Sequence, residues 1–347
     1  MSAMRRRRLG SEGPEIARVG FGAWAIGGGG WAYGWGPQDI DDAIAAMRHA
    51  LARGIDWIDT AAVYGLGHSE ALVGRLLRGL PAGDRPLVFT KCGMVWDDAE
   101  PMREAVRDLR PATVRRGCEA SLRRLGVERI DLFQFHWPDQ LGTPVEDSWG
   151  EMARLVDEGK VRWIGVSNFD VALLERCEPI RHVDSLQPPF SLILRNTAAA
   201  LIPWAEAHGT GVIGYSPMQS GLLTEKWTVE RVRRLPEDDF RKRSPLFQPP
   251  DVERSLALRD ALRPIAARHG SSLEAVAVAW TLAWPGVTGA IVGARSPAQV
   301  DGWIDAATLE LDEADLDAIA AAADRTGAGS GPARPARAPS VRQPARS

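Results

Sequence analysis

Cysteine, surplus charge and long apolar runs are all scarce in this chain. Its three cysteines, Cys92, Cys118 and Cys177, are odd in number and far apart, which argues against a disulfide framework and fits a reducing cytoplasm. The formal net charge of −3 gives no electrostatic reason to expect a nucleic acid or an acidic membrane as a partner. No stretch approaches the roughly 20 apolar residues of a membrane span, and the N-terminal arginine run lacks the apolar segment of a secretory signal. The composition therefore predicts a soluble, cytoplasmic protein.

Short apolar segments alternate with amphipathic helical patterns through most of the sequence. A predicted β-hairpin comes first, from Arg6–Leu9 and Glu15–Arg18. Eight further strands are predicted at Val19–Ile26, Ile55–Thr60, Leu87–Lys91, Ile130–His136, Val161–Val166, Ser185–Gln187, Val212–Tyr215 and Thr288–Val292. The helices between them imply parallel strands joined by right-handed crossovers. The pattern favours a single α/β domain, a closed (β/α)8 TIM barrel with extra C-terminal helices, over an open doubly wound sheet.

Three segments interrupt this alternation. Gly27–Pro37 is rich in glycine and tryptophan and is predicted to form a mobile wall beside the site. Thr224–Asp251 is a long, charged loop after the seventh barrel strand, and loops of that length are usually functional or disordered. Residues 327–347 are rich in alanine, proline and arginine and contain no acid, so we expect a disordered or loosely packed tail. The barrel domain is accordingly placed at residues 1–326.

The run Gly27–Gly30 is the one signal for a different fold, because a glycine-rich turn after a strand is typical of dinucleotide-binding Rossmann domains. The run lacks G-x-G-x-x-G spacing, however, and Trp31, Tyr33 and Trp35 precede the next helix. We therefore disfavour a Rossmann turn here.

Four residues that carry proton-transfer chemistry stand at or just beyond the ends of three predicted strands. Asp59 and Tyr64 follow the second barrel strand, Lys91 ends the third and His136 ends the fourth. The active sites of such barrels lie at the C-terminal mouth of the strands, so these side chains are predicted to meet. Each alone has a plainer interpretation, as a turn cap, a rim aromatic, a surface lysine and a core histidine. Together they are what proton transfer to a carbonyl oxygen would need.

Several motifs, in the same order, make the chain resemble the aldo-keto reductase family from about Leu9 to Ala323. The matching pieces are Asp59-Thr60-Ala61 through Ser69-Glu70, Thr90-Lys91, Gln134 to Asp139, Gly165 to Phe169, Gln187 to Ser191, Tyr215-Ser216-Pro217 with Gly221 to Leu223, and Gly293 to Ser296. Two pieces, Gln134 to Asp139 and Asp239-Phe240-Arg241, are most similar to the bacterial branch that contains general-stress and inositol-dehydrogenase-like reductases.

The resemblance implies a role for each of the four residues. Tyr64 would be the general acid, giving its proton to the carbonyl oxygen as NADPH delivers hydride to the carbon. Lys91 would lower the pKa of that phenol, and Asp59 would pair with and orient Lys91. His136 would donate a hydrogen bond to the carbonyl oxygen and help to polarise it.

The resemblance also implies a cofactor site on the other half of the rim. Ser167, Asn168 and Gln187 would hold the nicotinamide carboxamide, and Tyr215 would stack on the ring. Ser167 and Asn168 have an alternative interpretation, as the N-cap of the helix that begins near Val171. The pyrophosphate is expected along Ser216, Pro217, Gly221 and Leu222, with Lys226 and Arg241 as clamps.

A 2′-phosphate would meet the segment after the last barrel strand, formed by Gly293, Arg295, Ser296 and Gln299. Arg295 could instead be a solvated loop charge. The chain departs from the family just beyond Gln299, where many members carry an acid and an asparagine and this sequence has Gly302 and Trp303. The prediction is NADP(H) in preference to NAD.

Tryptophans in predicted rim segments indicate an aromatic substrate pocket, suited to a sugar face or a hydrophobic aldehyde: Trp24, Trp31, Trp96 and Trp137. The leading hypothesis is an NADP(H)-dependent reductase of an aldehyde or ketone. The alternatives are a polyol or sugar dehydrogenase working in the oxidative direction with NAD(P), and a nucleotide-sensing regulatory subunit. A metal-dependent hydrolase is disfavoured and no metal is expected, because the other histidines are scattered without ligand spacing.

Overall fold

A computed structural model describes residues 4–236 and 239–335. In chain order the strands are β1 (Arg6–Arg8), β2 (Glu15–Ala17), β3 (Val19–Gly22), β4 (Trp57–Asp59), β5 (Leu87–Cys92), β6 (Met94–Val95), β7 (Val106–Arg107), β8 (Ile130–Phe135), β9 (Val161–Ser167), β10 (Ser185–Gln187), β11 (Gly211–Tyr215) and β12 (Val287–Gly293). The strands β3, β4, β5, β8, β9, β10, β11 and β12 pair in parallel and close into a barrel, in which β12 pairs with β3. The predicted (β/α)8 barrel and N-terminal hairpin are thus confirmed.

Helices surround the barrel, and several begin at the residue types that favour a helix start. In order they are α1 (Ile40–Ala52), α2 (His68–Arg78), α3 (Pro111–Leu125), α4 (Val145–Asp157), α5 (Val171–Cys177), α6 (Leu201–His208), α7 (Val229–Arg233), α8 (Asp251–Ala261), α9 (Arg263–Arg268), α10 (Leu273–Leu282), α11 (Pro297–Asp301) and α12 (Glu313–Thr326). Asp39 caps α1 by accepting from the backbone N–H groups of Asp41 and Asp42, and Asp312 caps α12 through a capping box. In the described part of the chain, none of these helices has the length and apolar character that a membrane crossing requires.

The barrel interior is filled from both the strands and the N-terminal hairpin. The hairpin residues Leu9, Ile16 and Ala17 pack against inward-facing residues of the barrel strands, namely Trp57, Phe89, Leu132, Ile213 and Ile291. Gly20 makes room for this packing, since a Cβ there would lie 2.2 Å from the Trp57 ring. The indole of Trp57 also donates a hydrogen bond of 2.9 Å to the Ala17 carbonyl. Burial of these apolar side chains closes one end of the barrel and leaves the opposite, C-terminal end for the site.

The structure contains three regions of secondary structure that the sequence pattern did not indicate. Strands β6 and β7 form a two-stranded antiparallel ribbon between β5 and α3. Helices α8 and α9 lie between the long loop and α10. Within Thr224–Asp251 itself, α7 and two 3-10 turns are formed, and Glu237 and Asp238 lie outside the described residues.

Residues 327–335 differ from the predicted loose tail, because they pack against the barrel domain. Ala328 is buried, and the guanidinium of Arg195 donates to the carbonyls of Ala328 (3.0 Å) and Gly331 (3.1 Å). Arg334 forms ion pairs with Glu313 and Asp317 of α12. A buried arginine needs such acceptors, and the tail backbone supplies them. Residues 336–347 lie outside the described residues.

Candidate active site

A buried ion pair lies at the C-terminal mouth of the barrel. Lys91, at the end of β5, is 1% exposed, and its Nζ lies 2.5 Å from Oδ1 of Asp59 at the end of β4. Nζ also donates 2.9 Å to the Thr60 carbonyl. Burial raises the pKa of the Asp59 carboxyl and lowers that of the Lys91 ammonium, while their ion pair opposes both changes. The site therefore contains, at its base, a fixed pair of opposite charges that is shielded from water.

The phenol of Tyr64 lies next to this pair. Lys91 Nζ donates a hydrogen bond of 3.4 Å to the Tyr64 hydroxyl. The Tyr64 ring packs between Trp24, whose ring centroid lies 6.2 Å away, and His136, which meets it edge-on at 5.5 Å. Asp59, Tyr64, Lys91 and His136, which come from three strand ends, are therefore brought together as predicted.

The predicted lowering of the Tyr64 pKa is wrong for this structure. Burial raises the pKa of the phenol well above 10, and the negative charge of Asp59 adds to that change. Lys91 does not offset it, because its charge is already paired with Asp59 at shorter distance. Tyr64 is consequently held as a neutral phenol that can donate a proton.

His136 is held as a neutral imidazole. Burial lowers its pKa well below 6.5, and the positive charges of Lys91 and Arg107 act in the same direction. Its Nδ1 is buried and has no hydrogen-bond partner among residues 4–236 and 239–335. The His136 carbonyl accepts 2.9 Å from the Asn168 amide, which ties the strand end of β8 to that of β9. A neutral imidazole in this position can donate one N–H to a substrate oxygen.

The residues predicted to hold a nicotinamide are bonded to one another. Ser167 Oγ donates to the Gln187 carbonyl (2.7 Å), and Asn168 donates to Ser167 Oγ (3.1 Å) and accepts from the Tyr215 hydroxyl (2.9 Å). The helix-cap alternative for Ser167 and Asn168 is wrong, since Asp170 caps α5. Asn168 has a φ of 62°, a left-handed conformation that non-glycine residues adopt rarely.

Gln134 belongs to the same buried cluster and was not predicted as a site residue. Its Oε1 accepts 3.4 Å from Gln187 Nε2, which also donates 2.9 Å to Asp59 Oδ2. The Gln134 Nε2 is buried and has no partner in the described part of the chain. Strand alternation is the signal that could have found it, because Gln134 is two residues before His136 in the predicted strand Ile130–His136, and alternate residues of a strand share a face.

A cavity of about 410 Å³ runs from the Asp59–Tyr64 end of the barrel mouth to the segment after β12. Its lining includes Asp59 of the buried ion pair and eleven further predicted site residues: Trp24, Tyr64, Tyr215, Ser216, Pro217, Gly221, Lys226, Arg241, Gly293, Arg295 and Gln299. Leu222 is wholly buried and Ser296 does not line the cavity, so neither offers it a side chain. Two lining residues that were not predicted for it carry charge, Arg231 and Glu274.

The backbone along one wall of this cavity adopts rare conformations. Ser216, Gln219 and Ser220 have φ values of 56°, 48° and 51°. Gly221 has a φ of 97°, and a Cβ there would lie 2.5 Å from the Trp227 indole nitrogen. Strained backbone of this kind concentrates where a ligand is held close to the main chain. The segment fits the predicted pyrophosphate position.

The two arginines at the far end of the cavity are engaged by the surrounding loops. Arg241 pairs with Asp239 and lies over the rings of Trp35 (4.7 Å) and Trp227 (4.8 Å). Arg295 donates to the side chain of Gln38 (2.6 Å) and to the carbonyls of two residues in or next to the first loop, Trp35 (3.0 Å) and Pro37. Arg295 is therefore not the freely solvated charge of the alternative interpretation. Its contacts hold the first loop against the cavity.

Three of the four predicted substrate tryptophans, Trp24, Trp31 and Trp96, pack in the surroundings of Tyr64. Trp31 and Trp96 pack in one cluster with Tyr64, and Trp24 lines the cavity itself. Trp96 also donates 2.8 Å to Asp98. Trp137 follows His136 and lies under the guanidinium of Arg107, 4.3 Å from its ring centroid.

A closed (β/α)8 barrel with an Asp–Lys pair, a tyrosine and a histidine at one mouth, opening into a long cavity, defines a class of carbonyl oxidoreductases that use nicotinamide cofactors. The chain belongs to the aldo/keto reductase family, whose sequence model matches residues 18–324. Over 290 residues it is 37% identical to the aldo-keto reductase YhdN of Bacillus subtilis (strain 168), covering 83% of this chain and 84% of that protein. It is also 31% identical over 321 residues to the NADH-specific methylglyoxal reductase of Escherichia coli (strain K12), covering 90% and 96%.

A solved structure supports the same assignment. The glycerol dehydrogenase AKR11B4 from Gluconobacter oxydans superimposes with a TM-score of 0.84 at 38% sequence identity, covering 96% of this chain and 98% of that one. The predicted family membership is confirmed.

Proposed function

We propose that this chain is an NADP(H)-dependent oxidoreductase that reduces an aldehyde or ketone to the alcohol, with Tyr64 as general acid. The observation that carries the proposal is the position of the Tyr64 hydroxyl, 3.4 Å from Lys91 Nζ, at one end of a cavity whose other end is lined by arginines. In such an arrangement the nicotinamide ring and the carbonyl substrate would lie at the end that holds the proton donor. The phosphates of the cofactor would lie at the other end, among the cations.

Each residue at the mouth has a separate task in this mechanism. When bound, the reduced nicotinamide supplies the hydride that the carbonyl carbon takes up. His136, held neutral, donates a hydrogen bond to the carbonyl oxygen and fixes its direction. Tyr64 gives its proton to that oxygen, and the Lys91 ammonium then faces the phenolate that remains. Asp59 keeps Lys91 in place through their 2.5 Å ion pair.

The residues along the cavity fit such a cofactor. Gln187 does not line the cavity itself, but its amide nitrogen donates to the lining residue Asp59 and to Gln134, so its Oε1 is the atom that can accept from the carboxamide. Arg241, Arg231 and Lys226 offer cations to a pyrophosphate, beside the strained segment of Ser216 to Gly221.

The preference for NADP(H) rests on Arg295, which lines the cavity and has guanidinium donors beyond those bonded to the first loop. An NADH-specific relative shows that use of NADH occurs among similar proteins. The affinities of this chain for NADPH and for NADH therefore test the cofactor preference.

Polyol oxidation is a second candidate, favoured by the similarity to a glycerol dehydrogenase. The same residues serve that direction, with Tyr64 as the base that accepts the alcohol proton. The raised pKa of Tyr64 opposes this direction at neutral pH, because little of the phenol is ionised there.

The substitution Tyr64→Phe tests the proposal directly. It removes the proton donor and leaves the ring packing, so we expect the kcat for aldehyde reduction to fall by about 10²- to 10⁴-fold. Cofactor binding, followed by quenching of tryptophan fluorescence, should change little. Tyr33→Phe is the matched control, because it removes a hydroxyl at the same mouth that is not bonded to Lys91. Turnover that survives in Tyr64→Phe would remove Tyr64 from the role of acid.

A further inference from the structure

The ribbon of β6 and β7 places an arginine at the mouth of the site. Met94 lies directly opposite Arg107 in the antiparallel pairing of the two strands. Residues directly opposite each other in such a pair project from the same face, with Cβ atoms about 4.5–5.5 Å apart. Met94 packs against the cluster that contains Tyr64 and Trp31. The side chain of Arg107 therefore leaves the ribbon on the side that faces the proposed active site.

The guanidinium of Arg107 contacts the segment that follows β8, which contains His136 and Trp137. It stacks on Trp137 at 4.3 Å from the ring centroid. Its charge acts on His136 together with that of Lys91, and it also acts on Tyr33. The Arg107 carbonyl accepts 3.1 Å from the backbone of Gln140, which binds the ribbon to the segment that follows His136.

The carboxylates near Arg107 are engaged elsewhere. Asp108 pairs with Arg110, and Asp139 accepts three backbone N–H groups, from Leu109, Leu141 and Thr143. The charge of Glu104 acts on Tyr33 and helps to raise the pKa of its phenol. Across residues 4–236 and 239–335, no carboxylate lies within ion-pair distance of the Arg107 guanidinium. A partly buried cation on an aromatic shelf, with no anionic partner of its own, is suited to binding an anion.

We propose that Arg107 binds an anionic group, a carboxylate or phosphate, on the carbonyl substrate, and that anionic carbonyl compounds are the preferred substrate class. The inference rests on the proposed reductase function, because it assigns the part of the substrate that points away from Tyr64. The guanidinium presents a planar fork that can hold two oxygens of either anion. The ribbon is braced by Asp139, so the fork is held in place before the substrate arrives.

The test compares substrates that differ in charge. Succinic semialdehyde is compared with its methyl ester, and glyceraldehyde phosphate with glyceraldehyde, so that the two pairs separate carboxylate from phosphate. For the preferred anion, Arg107→Gln should lower kcat/KM by about 10- to 100-fold, the size typical of a hydrogen bond to a charged group, mainly through KM. The value for the uncharged partner should stay within about twofold. Arg107→Lys should retain part of the preference.

Arg103→Gln is the matched control, since Arg103 lies in the same segment but is exposed and pairs with Glu100. A second readout is calorimetric binding of butyrate against butyramide to the full chain with oxidised cofactor, where Arg107→Gln should remove the difference between them. An equal loss for charged and uncharged substrates, or no loss, would overturn the inference while leaving the reductase function intact. Lack of turnover of any carbonyl compound, with butyrate binding that depends on Arg107, would instead retain the anion site and remove the reductase function.

Discussion

The side-chain amide of Gln187 donates a hydrogen bond of 2.9 Å to Oδ2 of Asp59, the carboxylate whose other oxygen accepts from Lys91. Gln187 is also the residue whose free Oε1 is proposed to meet the nicotinamide carboxamide. One amide thus lies between the proposed cofactor position and the ion pair that faces Tyr64. Asp59 is fully buried, so each of its oxygens depends on a protein donor.

We expect Gln187→Leu to impair both stability and turnover. It leaves Oδ2 of Asp59 buried without this donor, which costs about 1–3 kcal/mol in the free energy of unfolding. It should also lower kcat about tenfold or more, because a displaced Asp59 no longer fixes Lys91. Gln134→Leu is the matched comparison: the hydrogen bond that Gln134 accepts from Gln187 is long, at 3.4 Å, so the cost should be smaller. Chemical denaturation and steady-state rates of both variants check this, and equal effects would contradict it.

The tyrosines give a pH prediction. Burial raises the pKa of all three, Tyr33, Tyr64 and Tyr215, above the ordinary value of 10. A raised pKa means that the folded chain keeps its phenols protonated where an unfolded chain ionises them, near pH 10. The near-ultraviolet absorbance of the folded protein should therefore show little phenolate at pH 10, whereas denaturant-unfolded protein should show about half of the full signal. A folded-state transition at or below pH 10 would refute the assignment.

Arg295 should affect both loop closure and cofactor choice. Its bonds to Trp35, Pro37 and Gln38 hold the first loop, so Arg295→Ala should weaken binding of both reduced cofactors. If Arg295 also meets a 2′-phosphate, the loss for NADPH should exceed the loss for NADH by about tenfold. Gln38→Ala removes one loop contact and keeps the cation, and should weaken both equally. Fluorescence titration measures the affinity of each variant for NADPH and for NADH. Equal losses of affinity for the two cofactors in Arg295→Ala would contradict the preference for NADP(H).

Removal of residues 328–347 should destabilise the protein. Arg195 is 4% exposed, and the deletion removes the carbonyls of Ala328 and Gly331 that it donates to. Loss of partners for a buried charged group costs about 1–3 kcal/mol or more. A chain ending at Pro335 keeps these contacts and is the control. Thermal unfolding compares the two truncations, and an unchanged midpoint in the longer deletion would show that the packed segment contributes nothing.

Much of the fold follows from local sequence. The predicted bounds of Ser185–Gln187 are those of β10, and the helix predicted to begin near Val171 is α5, because a short apolar run and a helical pattern are both properties of neighbouring residues. The ribbon of β6 and β7 could not be found in this way, since two-residue strands contain no measurable alternation. The packed segment 327–335 was missed for a related reason: it is held by Arg195, which is remote in sequence.

The sequence by itself determined which residues meet at the mouth of the barrel, because parallel strands bring their C-terminal ends to one rim. It did not determine the state of those residues. The raised pKa of Tyr64, the use of Gln187 on Asp59, the loop contacts of Arg295 and the place of Arg107 beside Trp137 were decided by the tertiary structure. Burial and contacts of a few ångströms between residues distant in sequence set these properties, and no local pattern records them.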